Sequence, residues 1–110
     1  SQPARVVLQI SISGSSISSL NDASCSNGER ILDFIQNWLD RNAFEGDYHM
    51  QGIMGESAIF DYVMIPMQDE NGYKMTADKF AGQLGRQLKE QGVSASYRIE
   101  GGTILLMLDL

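Results

Sequence analysis

The chain has 110 residues, of which 43% are hydrophobic and 20% are charged. This length and composition predict one globular domain, because the chain is too apolar to remain disordered. Fourteen acidic and eight basic residues give a net charge of −6. The basic residues occur singly along the chain. Since nucleic-acid affinity depends on clustered Lys and Arg, we expect no nucleic-acid partner.

The single cysteine, Cys25, excludes an internal disulfide, so the fold does not depend on an oxidising compartment. No apolar run approaches the roughly 20 residues that span a bilayer, and no signal peptide is visible. We expect one domain over residues 1–110, either a processed protein or a domain excised from a longer protein, with no membrane contact of its own. The cytoplasm is the favoured compartment, and a periplasmic domain of an anchored protein is the alternative.

The first half of the chain predicts a strand, a loop, a helix and a hairpin. Apolar residues alternate with others over 6–13, as in a half-buried strand. After a serine-rich loop, Ser26 to Glu29 has the pattern of a capping box, in which the serine hydroxyl and the glutamate carboxylate satisfy backbone amides. The helix that follows has an apolar stripe from Ile31 to Leu39. Strands at 47–54 and 58–67 flank a turn at 55–56.

The second half predicts a helix and a second hairpin. Thr76 is the expected N-cap of the helix, and Gly92 is its left-handed stop. Strands at 94–99 and Thr103–Asp109 are joined across Gly101 and Gly102, a favoured two-residue turn. The order of elements is therefore β-α-β-β-α-β-β.

This order predicts an α+β fold, a two-layer ferredoxin-like sandwich in which an antiparallel sheet has both helices on one face. The additional C-terminal strand either extends one edge of the sheet or replaces a short fourth strand. An antiparallel sheet with a different strand order is the competing arrangement.

Two strands are apolar on both faces, and helices can cover only one face of such a sheet. In Thr103–Asp109, Leu105 and Met107 alternate with Ile104, Leu106 and Leu108. In the strand at 58–67, one face carries Phe60, Tyr62 and Met64, and we assign the other face to the open side of the sheet. The predicted interface on that side consists of Ile59, Asp61, Val63, Ile65, Leu105 and Met107.

The residue types that carry catalysis or bind metals do not form a recognisable pattern. His49 is the single histidine, so a two-histidine metal site is excluded, and a dyad with Cys25 would require the fold to bring the two together. Five methionines lie between Met50 and Met75, which fits a core or interface better than a copper site, because tight spacing is missing. We therefore predict no catalytic residue, no metal and no cofactor.

Two glycine-containing segments admit a ligand as a second interpretation. The loop at 14–19 lies where phosphate-binding loops lie, but it has no Lys and no P-loop pattern, so a plain loop is expected. Gly82 and Gly85 lie near the inward stripe of the second helix, which indicates a close packing contact. A ligand that approaches the helix backbone is the alternative.

Three functions follow from this surface. The first is a non-catalytic interaction or assembly module that forms a homodimer or docks on a partner protein through the apolar sheet face. The second is a small acidic inhibitor or immunity-type protein that binds a basic target surface. The third is a dimeric α+β-barrel ligand-binding protein or enzyme, with His49, Asp61 or Tyr62 as its polar groups.

Overall fold

The computed structural model of the protein describes residues 2–13 and 17–110. In this part of the chain, single-turn 3-10 helices at Leu20–Asp22 and Phe44–Gly46 accompany five strands and two helices. The larger elements are β1 (Ala4–Ser13), α1 (Ile31–Asn42), β2 (Tyr48–Met54), β3 (Ser57–Ile65), α2 (Ala77–Glu90), β4 (Ser94–Glu100) and β5 (Thr103–Asp109). The predicted order of elements is confirmed, and the protein is an α+β domain.

The five strands form one mixed sheet in the order β2-β3-β1-β5-β4. β1 pairs antiparallel with β3 and parallel with β5, whereas β4 and β5 pair antiparallel across the turn at Gly101 and Gly102. The expected all-antiparallel sheet is therefore wrong on one side of β1. The last strand neither extends an edge nor replaces β4, but lies between β1 and β4.

The apolar content of the last two strands explains their positions. β5 buries Ile104, Leu106 and Leu108, and a strand with that much apolar surface is most stable inside a sheet. β4 alternates half-buried residues with exposed polar ones, a pattern that suits an edge because polar and charged side chains discourage pairing with other chains. The chain therefore crosses from α2 to the edge and returns through a hairpin.

The core lies between the sheet and the two helices, which cover the same face. The inward side chains of β1 are Val6, Leu8, Ile10 and Ile12. From the helices, Trp38 and Phe80 meet edge to face, with ring centroids 5.0 Å apart. Because burial of a large apolar side chain contributes about 1.5–3 kcal/mol, this layer is the main source of stability.

A β-bulge in β3 corrects the predicted face of two interface residues. Val6 pairs with Val63 and Leu8 with Phe60, so β3 has one residue more than β1 between these pairs. The pairing with β2 shows the same extra residue in β3. The consecutive residues His49 and Met50 pair with Tyr62 and Phe60, so the inserted residue is Asp61. The assignment of Val63 and Ile65 to the open side is wrong, since both are buried under the helices.

The ends of the helices confirm some predicted caps and correct one. Thr76 caps α2 by accepting a hydrogen bond from the amide of Lys79 at 3.1 Å, and Gly92 adopts φ +80° at its C-terminal stop. The capping box is wrong, because α1 begins at Ile31 and its N-cap, Arg30, makes no side-chain cap. Both oxygens of Asp33 instead accept hydrogen bonds from Arg30 at 3.0 Å, which stabilises the first turn.

Neither helix in the described ranges is long and apolar enough to cross a membrane.

Candidate functional site: the exposed face of the sheet

The face of the sheet opposite the helices is called here the exposed sheet face. No helix within residues 2–13 and 17–110 covers it, and its side chains line up in rows set by the strand register. In the order of the strands, one row consists of Gly52, Ile59, Gln9, Leu105 and Arg98. The next row consists of Met54, Ser57, Ser11, Met107 and Ser96.

A polar stripe divides this face into two apolar patches. Gln9 and Ser11 form the stripe on β1, with Met54 and Ile59 on one side and Leu105 and Met107 on the other. Met54 is 80% exposed and Met107 39% exposed. A shallow groove of about 300 Å³ runs along the first patch, and one of about 320 Å³ runs along the second. The patches are thus accessible, apolar and concave.

Four of the six predicted interface residues lie at this surface. Ile59, Leu105 and Met107 point away from the helices, and Asp61 is exposed at the bulge. Their role in an interface stays a prediction. The two others, Val63 and Ile65, belong to the core described above.

The bulge gathers a polar cluster at one end of the exposed sheet face. Nδ1 of His49 lies 2.6 Å from Oδ1 of Asp61, and the His49 ring stacks on Tyr62 with centroids 6.2 Å apart. The guanidinium of Arg5 lies 4.6 Å from the centroid of the Tyr62 ring. The hydroxyl of Tyr62 donates a hydrogen bond to Asp47 at 3.0 Å. One inserted residue therefore creates a network across three strands.

Hydrogen bonds within this cluster shift the pKa values of two of its side chains. The hydrogen bond with His49 lowers the pKa of the Asp61 carboxyl, and the hydrogen bond to Asp47 raises the pKa of Tyr62. The hydroxyl of Tyr62 donates its hydrogen bond to Asp47, whereas His49 pairs with Asp61.

The strand charges nearly cancel on this face. The described strands carry five charged residues, all of them exposed: Arg5, Asp61, Arg98, Glu100 and Asp109. They sum to −1, which leaves −5 for the rest of a chain whose total is −6. Arg98 also pairs with Glu100, so the exposed sheet face is far less acidic than the remainder of the molecule.

The other candidates identified in the sequence do not converge on a site. Cys25 is buried, and burial raises the pKa of its thiol. Met54 is exposed on the hairpin whereas Met75 is buried under the helices, so the methionines form no single cluster. Among the described residues, no group of three or more His, Cys, Asp or Glu could hold a metal ion. Of the serine-rich loop, residues 14–16 lie outside the described ranges.

Neither Met54 nor the cluster around Tyr62 was predicted from the sequence. Strict alternation in β3 would put Tyr62 and Ile59 on opposite faces of the sheet. The bulge brings both side chains to the same face. The available signal was the run from Phe60 to Val63, in which two aromatic residues and a valine compete for the core around a charged residue. A charge between large apolar residues is a reasonable place to test a bulge.

Comparison with known proteins gives the chain a family. No curated protein and no solved structure matches it. A family model, described as a domain of unknown function, matches residues 4–109, from the start of β1 to the end of β5. The match covers nearly the whole chain, and the protein therefore belongs to the DUF6175 family.

Proposed function

We propose that the protein is a non-catalytic assembly module that forms a homodimer through the exposed sheet face. The observation that carries this proposal is the arrangement of two apolar patches on either side of the polar stripe on β1. An accessible apolar surface of this kind is typical of protein interfaces.

The rows of side chains make the face complementary to a second copy of itself. A two-fold axis parallel to β1, between two facing sheets, exchanges the sides of the stripe and keeps each row in place. It brings Leu105 of one copy opposite Ile59 of the other, Met107 opposite Ser57, and Met54 opposite Ser96. The stripes with Gln9 and Ser11 meet each other, so polar groups face polar groups. Sheets that pack in this way cross at about −30°.

The distribution of charge also favours a second copy as the occupant. Two molecules of charge −6 repel each other, and the repulsion is smallest where their surfaces carry the least charge. The exposed sheet face, at −1, is that surface. An acidic inhibitor would instead present the remaining −5, outside the strands, to a basic target.

The size of the face is sufficient for a dimer. Five strands about 4.8 Å apart, with about seven residues of about 3.3 Å each, give a flat area on the order of 500 Å² before side-chain relief is included. A standard interface buries about 800 Å² of accessible surface per partner. The flat area alone is smaller than this value, so a homodimer of this kind uses the whole face together with the relief of its side chains.

The fold that we propose for this module is a ferredoxin-like sandwich widened by one strand. The order β2-β3-β1, with α1 and α2 on one face, supports this relationship. β5 lies next to β1, where the last strand of that fold is expected, but it runs parallel to β1.

The test is absolute mass by light scattering over a hundredfold dilution, at low and high salt. We expect a wild-type dimer whose dissociation hardly depends on salt, because apolar contacts dominate. Met107→Glu should give a monomer. Met67→Glu is the matched control, since Met67 is 40% exposed, lies outside the strands, and should leave the dimer intact.

Two results would contradict the proposal. One is a wild-type protein that is monomeric at every concentration, which would favour the inhibitor function. The other is Met107→Glu that folds and remains dimeric. Circular dichroism melting of each variant shows whether it is folded.

A further inference from the structure

A cleft lies on the helical side of the molecule, away from the exposed sheet face. It has a volume of about 460 Å³ and is bounded by α1, α2 and the segment 66–75. Trp38 and Met75, both buried, form its apolar floor. Small-molecule sites typically measure about 300–1,000 Å³ and combine an apolar lining with a few polar groups. The cleft has the size and the floor of such a site.

Two arginines give the cleft a cationic wall. Arg41, in the last turn of α1, and Arg86, on α2, both line it. Within residues 2–13 and 17–110, neither guanidinium has a carboxylate within the 4.0 Å of an ion pair. Gln83 and Gln87 lie four residues apart on α2 and line the same cleft, where their carboxamides can donate hydrogen bonds.

The acidic residues at the mouth do not cancel this charge. Oδ1 of Asp69 accepts hydrogen bonds from the amides of Asn71 and Tyr73 at 2.9 Å, and Oδ2 contacts Nζ of Lys79 at 3.1 Å. Burial opposes ionisation of Asp69, but these contacts outweigh it, and the pKa of its carboxyl is lowered. Asp69 is thus neutralised by Lys79. Of the charged residues that line the cleft, this leaves Arg41 and Arg86 against Glu70. The cleft is therefore cationic although the net charge of the chain is −6.

Gly82 lies beside one of these cations. A β-carbon at this position would lie 3.4 Å from Nη1 of Arg86 and 3.4 Å from the hydroxyl of Tyr97, which are close van der Waals contacts. The Arg86 side chain therefore lies along α2 near the helix backbone at Gly82. The same glycine was singled out in the sequence as a place where a ligand or a neighbour approaches the backbone.

We propose that this cleft binds a small organic anion, with its carboxylate or phosphate held by Arg41 and Arg86 and its apolar body packed against Trp38. A guanidinium presents paired N–H donors that match the oxygens of either anionic group. The site lies on the opposite side of the molecule from the proposed dimer interface and does not depend on it. The proposal involves binding alone and no covalent step.

The fluorescence of Trp38 reports on this cleft directly, because it is the single tryptophan of the chain. The probes are benzoate and phenyl phosphate, titrated at constant ionic strength with chloride, and benzyl alcohol is the uncharged control. We expect a saturable change with at least one anion and none with benzyl alcohol. The stronger of the two anions identifies the preferred anionic group.

Variants distinguish binding in the cleft from a general effect of salt. Arg41→Gln combined with Arg86→Gln should weaken binding about tenfold or more, since charged hydrogen bonds are lost. Lys89→Gln removes a cation from the same helix outside the cleft, and it should leave binding unchanged. A linear or flat titration with both anions, equal binding by the double variant, or an equal response to benzyl alcohol would each overturn the proposal.

Discussion

Gly92 follows the end of α2 and packs against Ser26, in the loop that precedes α1. Its φ of +80° is one that residues with side chains rarely adopt, and a β-carbon there would overlap Oγ of Ser26. The amide of Ser26 also donates a hydrogen bond to the carbonyl of Gln91 at 2.9 Å. The glycine therefore serves both as a helix stop and as the surface on which the loop lies.

Gly92→Ala should destabilise the protein by about 1–3 kcal/mol, because it adds backbone strain to a steric overlap. Gly85→Ala is the matched control, since nothing lies within 4 Å of its added β-carbon. In the helix interior, that change should stabilise by up to about 1 kcal/mol. Urea unfolding measures both. Shifts of the same sign for the two variants would contradict this account.

Tyr48 is half-buried, and its hydroxyl donates to Asp40 at 2.7 Å and to the carbonyl of Gln36 at 3.2 Å. Burial, together with the hydrogen bond and the charge of Asp40, raises the pKa of Tyr48 to about 12. The unfolded chain then loses this proton near pH 10, while the native protein retains it. The contribution of Tyr48 to stability is therefore complete below pH 10 and declines as the pH rises towards 12.

Tyr48→Phe should cost about 1 kcal/mol at pH 7, where a hydrogen bond is lost. Because phenylalanine does not titrate, the difference from the wild type should shrink as the pH rises from about 10 to about 12. Denaturant unfolding at a series of pH values measures the difference. A difference that stays constant or grows over this range would show that the tyrosine is not held neutral by the fold.

At the scale of elements, the bulge at Asp61 decides which side of β3 faces the core. Phe60 and Val63 both lie under the helices although three positions separate them, and the inserted residue makes this compatible with a strand. Without Asp61, Phe60 and Val63 would be two positions apart and would share a face of a regular strand.

Deletion of Asp61 should therefore leave a folded protein with the same core and little change in melting temperature. Deletion of Ile59 is the control, because it makes Ala58 and Phe60 adjacent and forces one of them out of the core. We expect that loss to cost about 3 kcal/mol or more. Thermal melting followed by circular dichroism compares the two, and equal loss of stability would contradict the role assigned to Asp61.

The sequence predicted elements well where the signal is local. Thr76 and Gly92 act at the ends of α2 as their chemistry dictates. The cap of α1 was not predictable in the same way, because the pairing of Arg30 with Asp33 replaces the expected capping box. The bulge at Asp61 interrupts the period of two within β3. Strict alternation therefore assigned Val63 and Ile65 to the wrong face.

At the scale of the whole molecule, the position and direction of the last strand were the main error, and they determine the candidate site. Insertion of β5 beside β1 puts Leu105 next to Gln9 and Met107 next to Ser11. The apolar side of β5 was predicted from its sequence. The neighbours of β5 depend on which strands bury the most apolar surface at the centre of the sheet. That comparison involves all five strands and cannot be made from one strand alone.

The central claim, that two copies meet through the exposed sheet face about an axis along β1, is tested most directly by cross-linking single cysteines. In a Cys25→Ala background, chains with Met54→Cys or with Ser96→Cys are treated with a bis-maleimide spanning about 10 Å, the spacing of packed sheets. The axis brings Met54 of one copy opposite Ser96 of the other and leaves two copies of either residue four strands apart. We predict cross-linked dimers in an equimolar mixture of the two variants and almost none with either variant alone. Absence of cross-links from the mixture, or equally efficient cross-linking of Ser96→Cys with itself, would contradict it.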